Sequence, residues 1–120
     1  MSKSLTITKP QLQTAEALDM DTDTYLEPIH PGEILLEEFM KPLGLSINQL
    51  ARDLDVPPNR IGAIVNGLRS ITADTALRLG TYFRVSPETW LGLQLDYDLR
   101  LIRLRSGDQI ARSVRIRPAA

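Results

Sequence analysis

The chain is 120 residues long and 42% apolar, with no cysteine and a net charge of −1 from 14 basic and 15 acidic side chains. This length and apolar fraction fit one globular domain and exclude wholesale disorder, and the missing thiols exclude disulfides and thiolate metal sites. The near-zero total conceals a gradient. Residues 1–41 hold three lysines against eight acids, a net −5, and residues 100–120 hold six arginines against one acid, a net +5. A solvated acidic face and a loose basic tail are the plain reading of that polarity.

Residues 1–28 read as a flexible acidic N-terminal arm, with Glu16, Asp19, Asp21, Asp23 and Glu27 set among threonines. Ser4–Thr8 alternates like a short strand until Pro10, and Gln11–Met20 has room for a helical turn or two. No apolar run here reaches signal-peptide length, and none elsewhere approaches the ~20 residues of a membrane span. The expectation is a soluble, cytoplasmic protein with no membrane partner. His30 is the only histidine and precedes Pro31-Gly32, where it is expected to order the start of the first helix. A single histidine cannot furnish a catalytic triad or a multi-histidine metal site. Glu33 and Glu37, at i and i+4, read as helix surface. No catalytic residue, metal or cofactor is therefore assigned, and no enzymatic activity is expected.

Five helices follow between residue 32 and about residue 105. The first carries Ile34, Leu35, Leu36, Phe39 and Met40, and Pro42 and Gly44 stop it. Ser46-Ile47-Asn48-Gln49 predicts a capping box, the Ser46 hydroxyl accepting from the Gln49 amide while the Gln49 side chain reaches back. Ile47, Leu50, Ala51 and Leu54 then fall on one helical face. Val56-Pro57 breaks that helix, and Pro58 suits the first position of the next, where its missing N–H costs nothing. Ile61, Ile64, Val65 and Leu68 repeat the apolar spacing, and Gly67 suits a left-handed helix end. Thr72 caps a fourth helix with Ala76, Leu77, Gly80 and Phe83 on one side, and Ser86-Pro87-Glu88 opens a fifth.

The pair 46–54 and 58–66 is the informative unit. Both helices are short, and a link of about three residues forces a steep crossing, with the small Ala51 at the close approach. The outer face of the second helix holds Asn59, Gly62, Ala63 and Asn66, where a surface helix normally carries long charged side chains. Small and amide side chains leave such a helix slim enough for the DNA major groove, whose base edges suit Asn and Arg donors and a methyl contact from Ala. The same face also suits packing against a partner protein, so spacing leaves both readings open.

The segment GLSINQLARDLDVPPNRIGAIVNGLRSIT, residues 44–72, resembles the DNA-binding module of the Cro/repressor-like (XRE) helix-turn-helix family. IHPGEILLEEFMKPLGLS before it and SPETWLGLQLDYDLRL after it narrow the likeness to HigA-type antitoxins of bacterial toxin–antitoxin modules, over about residues 29–102. The resemblance implies an all-α, five-helix, lambda-repressor-like domain over residues 29–105. It also implies a homodimer that binds a palindromic double-stranded DNA operator, represses its own transcription and neutralises a RelE-like mRNA-endonuclease toxin. On this likeness the reading helix presents Pro58, Asn59 and Arg60 first and Gly62 and Ala63 one turn later, with Asn66 at its end. Ser46 and Asn48 open the preceding helix at the usual phosphate contact, and Arg69 falls where the family often clamps backbone. Many relatives carry glutamine at the positions of Ile47 and Pro58. Here neither side chain can hydrogen-bond, which assigns Ile47 to the core and shifts base reading to Asn59, Arg60 and Ala63. The alternative reading is a stand-alone XRE-type regulator, or an interaction module without a toxin.

The fifth helix is apolar on two sides, with Trp90, Leu93, Tyr97, Leu101 and Leu104 in one stripe and Leu91, Leu95, Leu99 and Ile102 in another. One stripe can seal the core and the other can face a twin, so Trp90, Leu91, Leu95, Leu99 and Ile102 are the expected dimer residues. Residues 106–120 read as a basic C-terminal tail, either a short strand pairing in the dimer or a loose arm on DNA phosphates. The acidic arm suits a basic toxin as a cover, or plain solvation.

Overall fold

The structure is a computed structural model, and it describes residues 27–119. The strand and helical turns expected within residues 1–26 lie outside the described residues. Five helices and no strand occur among the described residues. The first, α1, opens over Pro31–Ile34 and runs on without a break as a π-helical stretch, Leu35–Met40. The others are α2 (Ile47–Leu54), α3 (Pro58–Val65), α4 (Ala73–Phe83) and α5 (Pro87–Ser113).

Each start and stop has a local cause. His30 performs the ordering role expected of it: its Nδ1 accepts from the Gly32 N–H at 2.9 Å, capping α1 just before Pro31. Ser46 Oγ accepts from the Gln49 N–H at 3.0 Å at the head of α2. Only half of the expected capping box forms, because the Gln49 side chain turns along the helix, donating to Asp53 and accepting from Arg52, both at 2.8 Å. Asp55, in the left-handed conformation (φ 59°), ends α2. Pro57 is extended and Pro58 takes the first position of α3, as the doubled proline predicts. The end of α3 is a Schellman turn, with Gly67 at φ 76° and the Leu68 N–H reaching back to the Ala63 carbonyl at 2.8 Å.

The core is aliphatic around one tryptophan. Leu35, Leu50, Ala51, Ile61, Ile64, Ala76, Leu79 and Trp90 are fully buried, and Phe39 lies 4.9 Å from the Trp90 ring and 5.0 Å from Phe83, centroid to centroid. Each fully buried Leu or Ile side chain contributes about 1.5–3 kcal/mol. Close backbone approach is enforced at Gly32, where a Cβ would stand 1.7 Å from the Ile64 carbonyl oxygen, so α1 can rest directly on α3. Gln94 is buried and satisfied: its Oε1 accepts from the Ile71 N–H at 2.8 Å and its Nε2 donates to Asp98 at 3.0 Å. This ties the chain leaving α3 to α5.

Four expectations require correction. The fifth helix does not stop near residue 105 but continues to Ser113, so residues 106–113 are helix, and 114–119 follow without forming a strand. Residues 104–113 read LRSGDQIARS, and nothing there breaks a helix strongly, since Gly107 alone costs only about 1 kcal/mol. Leu68 is 82% exposed because the chain has already left the helical path at Asn66 and Gly67. Leu77 is 60% exposed, since α4 turns Thr75, Ala76, Leu79 and Gly80 inward instead. Trp90, grouped with the dimer residues, is fully buried in the protomer's own core and cannot meet a second copy.

Candidate nucleic-acid interface

The helix-turn-helix is built as its turn demands. Asp55, Val56 and Pro57 link α2 to α3, and the left-handed Asp55 redirects the chain sharply enough that the eight-residue helices cross instead of lying side by side. Ala51, fully buried, lets them approach. With Ile61 and Ile64 turned inward, helical period places Asn59, Gly62 or Ala63, and Asn66 on the opposite face. Asn59 and Asn66 are exposed, Gly62 and Ala63 half-buried. Around Gly62 there is open space, with no heavy atom within 4 Å of where a Cβ would stand. This side of α3 is slim and polar and is not covered by the protein's own helices.

The remaining predicted contacts surround it unevenly. Ser46, Asn48, Pro58 and Arg69 are exposed. Ser46 Oγ is engaged in its cap, leaving its lone pairs partly used. Ile47 is half-buried and packs on the core, as its apolar side chain predicts. Arg60 departs most from expectation. Its Nη1 donates to Asp74 Oδ1 at 3.0 Å, its side chain is 25% exposed, and its Nε is buried with no hydrogen-bond partner. The guanidinium is held by α4 and does not stand clear of the surface.

Asp74 was not among the residues singled out in the sequence. Its Oδ1 also accepts from Arg78 Nε at 2.8 Å, and Arg78 Nη1 in turn donates to the carbonyls of Leu54 at 2.9 Å and Asp55 at 3.4 Å. The hydrogen bond from Arg78, the Arg78 charge and then Arg60 hold the Asp74 carboxyl below the ordinary carboxylate range, despite an opposing push from desolvation. The same pairing raises Arg78. The available signal was the i, i+4 spacing of Asp74 and Arg78 just inside the Thr72 cap. A second exposed cluster joins α2 to α4, with the Tyr82 hydroxyl donating to Asp53 at 2.7 Å. That bond and the one from Gln49 lower the Asp53 carboxyl, and the same contact raises the Tyr82 phenol.

The outward stripe of α5 is the other open surface. Leu91, Leu95, Leu99 and Ile102 are 36%, 61%, 43% and 48% exposed. Leu93, Tyr97 and Leu101 of the first stripe are half-buried. Of the residues expected to dimerise, all but Trp90 are thus available.

The helix-turn-helix family profile matches residues 36–90, from the latter part of α1 through α2, α3 and α4 to the first turn of α5. An addiction-module antidote protein of the HigA family from Coxiella burnetii is 51% identical to this chain. Its structure superposes with a TM-score of 0.72, covering 77% of this chain and all of that one. The chain belongs to the HigA-type family of helix-turn-helix antitoxins. Virulence-associated protein I of Dichelobacter nodosus is 56% identical over 73 residues, 61% of this chain and 68% of that protein. The antitoxin HigA of Pseudomonas aeruginosa, solved with the higBA promoter, is 42% identical with a TM-score of 0.71 over 73% of this chain and 96% of its own. HigA-type proteins are DNA-binding regulators and antitoxins, a family not typically enzymatic. Among the described residues of this HigA-family chain, no helix is long and apolar enough to cross a membrane.

Proposed function

We propose that this chain is a homodimeric, operator-binding repressor that also serves as the antitoxin of a type II module, neutralising a RelE-like mRNA endonuclease and repressing its own operon. The observation that carries the DNA reading is the open, slim face of α3, with no other part of the protein within 4 Å of a Cβ at Gly62 and exposed amides at Asn59 and Asn66. Asn59 and Ala63 read bases, Pro58 and Gly62 allow close approach, and Ser46, Asn48 and Arg69 position the backbone. Phosphate contacts fix register while base contacts carry sequence. A net charge near zero does not oppose this, because helix N-termini offer backbone N–H groups to phosphate.

Leu91, Leu95, Leu99 and Ile102 form the dimer contact, and two-fold symmetry sets the reading helices about 34 Å apart on an inverted repeat. The P. aeruginosa HigA complex with its promoter supports the operator assignment. Two measurements test the proposal. The duplex immediately upstream of the coding sequence is titrated against a scrambled duplex of equal composition. The chain is then co-expressed with the neighbouring small basic reading frame. Preferential binding of the upstream duplex, with affinity that falls as salt rises, and rescue of growth from the toxic neighbour are expected. Preference without rescue reduces the protein to a stand-alone regulator. Equal binding of both duplexes overturns the repressor.

A further inference from the structure

Arg60 occupies the third position of α3, in the first turn of the helix that faces the open surface. An arginine free at that place would be drawn to any phosphate, since backbone attraction is independent of sequence. The structure places it otherwise. Asp74, in the first turn of α4, takes its Nη1 at 3.0 Å, and packing removes its Nε from solvent with no hydrogen-bond partner. The same carboxylate is fixed by Arg78, which is anchored in turn on the Leu54 carbonyl at the end of α2. Asp74 is therefore held from two sides, by Arg60 of α3 and by Arg78 of its own helix, and Arg78 carries the link on to the end of α2.

We propose that Asp74 is a specificity-determining residue of the DNA-binding surface, one that withholds Arg60 from non-specific phosphates and releases it only to a duplex offering a better acceptor. The inference rests on the operator reading above. A phosphate met in a random register must displace a carboxylate already in place, and must approach the Asp74 charge to do so. A cognate site supplies a geometrically matched acceptor, such as the O6 and N7 edge of guanine, which a guanidinium can take in bidentate fashion. The exchange lowers affinity for wrong DNA more than for right DNA, and discrimination is that difference.

The test uses the full chain, the upstream duplex and the scrambled duplex of equal composition, titrated by fluorescence anisotropy across a salt series. Asp74→Asn is expected to tighten scrambled-duplex binding about tenfold and to steepen its salt slope by about 0.9 per protomer, one added phosphate contact. Upstream binding changes less than about threefold, so discrimination falls. In an Arg60→Gln background, Asp74→Asn should change scrambled binding by less than about twofold, because the arginine it would release is gone. Arg60→Gln alone supplies an arm that leaves Asp74 intact: upstream binding falls about tenfold, as for one lost bidentate contact, while scrambled binding stays within about twofold. The inference is overturned if Asp74→Asn leaves discrimination unchanged, if its effect persists undiminished without Arg60, or if Arg60→Gln weakens both duplexes alike. A wild-type chain that does not discriminate at all overturns the operator reading and this inference together. Wild-type discrimination that survives Asp74→Asn overturns the inference alone.

Discussion

The outer faces of α3 and α5 are both exposed, for opposite chemical reasons. On α3 the exposed positions are Asn59 and Asn66, with the half-buried Gly62 and Ala63 between them, all small or hydrogen-bonding and cheap to leave in water. On α5 they are Leu91, Leu95, Leu99 and Ile102, aliphatic and costly to hydrate. A slim polar face suits a hydrated groove lined with donors and acceptors. A continuous aliphatic stripe suits a dry surface of the same character, and a second copy provides one under two-fold symmetry. Exposure alone distinguishes nothing; the kind of atom left exposed does.

The most damaging change to this division should be at α5. Leu95→Glu with Leu99→Glu puts charge into the proposed twin contact without touching the protomer core. Sedimentation should show a folded monomer, and loss of the second half-site should weaken operator binding about 10²–10⁴-fold. A dimer that survives this pair places the self-contact elsewhere. On α3, Asn59→Ala should cost about 1–3 kcal/mol of discrimination at one base position, with the melting temperature unchanged. Equal losses on every sequence would make Asn59 a backbone contact. Gly32→Ala separates stability from recognition: the new Cβ would stand 1.7 Å from the Ile64 carbonyl oxygen, and overpacking of this sort costs about 1–3 kcal/mol. A thermal melt should register it, and unchanged stability would mean that α1 shifts freely on α3.

The smallest effect is in pH. Burial lowers the His30 pKa below its ordinary 6.5, and the Asp98 charge only partly offsets this. The folded protein thus binds its proton less readily than the unfolded chain. Stability should be full above about pH 6.5 and decline as pH falls through the lowered value. A second decline should follow in the carboxylate range, where Asp53, Asp74 and Glu88, all lowered mainly by side-chain hydrogen bonds, begin to protonate. His30→Asn retains a capping acceptor without titrating, so it should remove the first decline and leave the second. Persistence of the first decline in that variant would assign it to another group.

The helix order was legible because the caps and breakers stand at the boundaries: Ser46, Pro58, Gly67, Thr72 and Ser86 each sit where a helix begins or ends. The outer face of α3 was legible from period alone. The end of α5 was not. Its last turns leave the core, so their apolar residues carry no clear inward period, and Arg105 to Ser113 looks like a tail while remaining helical. Trp90 was misplaced because periodicity groups residues on a face without saying what that face meets. The hold of Asp74 on Arg60 joins residues 14 apart in sequence, and no local pattern announces which of several acids will reach a given arginine. Leu77 shows the same limit, since one step of helical rotation separates a buried side from an exposed one.

The central claim is that the open side of α3 enters a groove, and Gly62→Leu measures it most directly. Beyond its neighbours and the backbone of its own helix, a Cβ there meets no atom of the protein within 4 Å, so circular dichroism and sedimentation should match the wild type. Anisotropy titration should show upstream-duplex binding reduced at least about tenfold, because the added bulk keeps the helix from the base edges. Wild-type affinity in that variant would contradict the account.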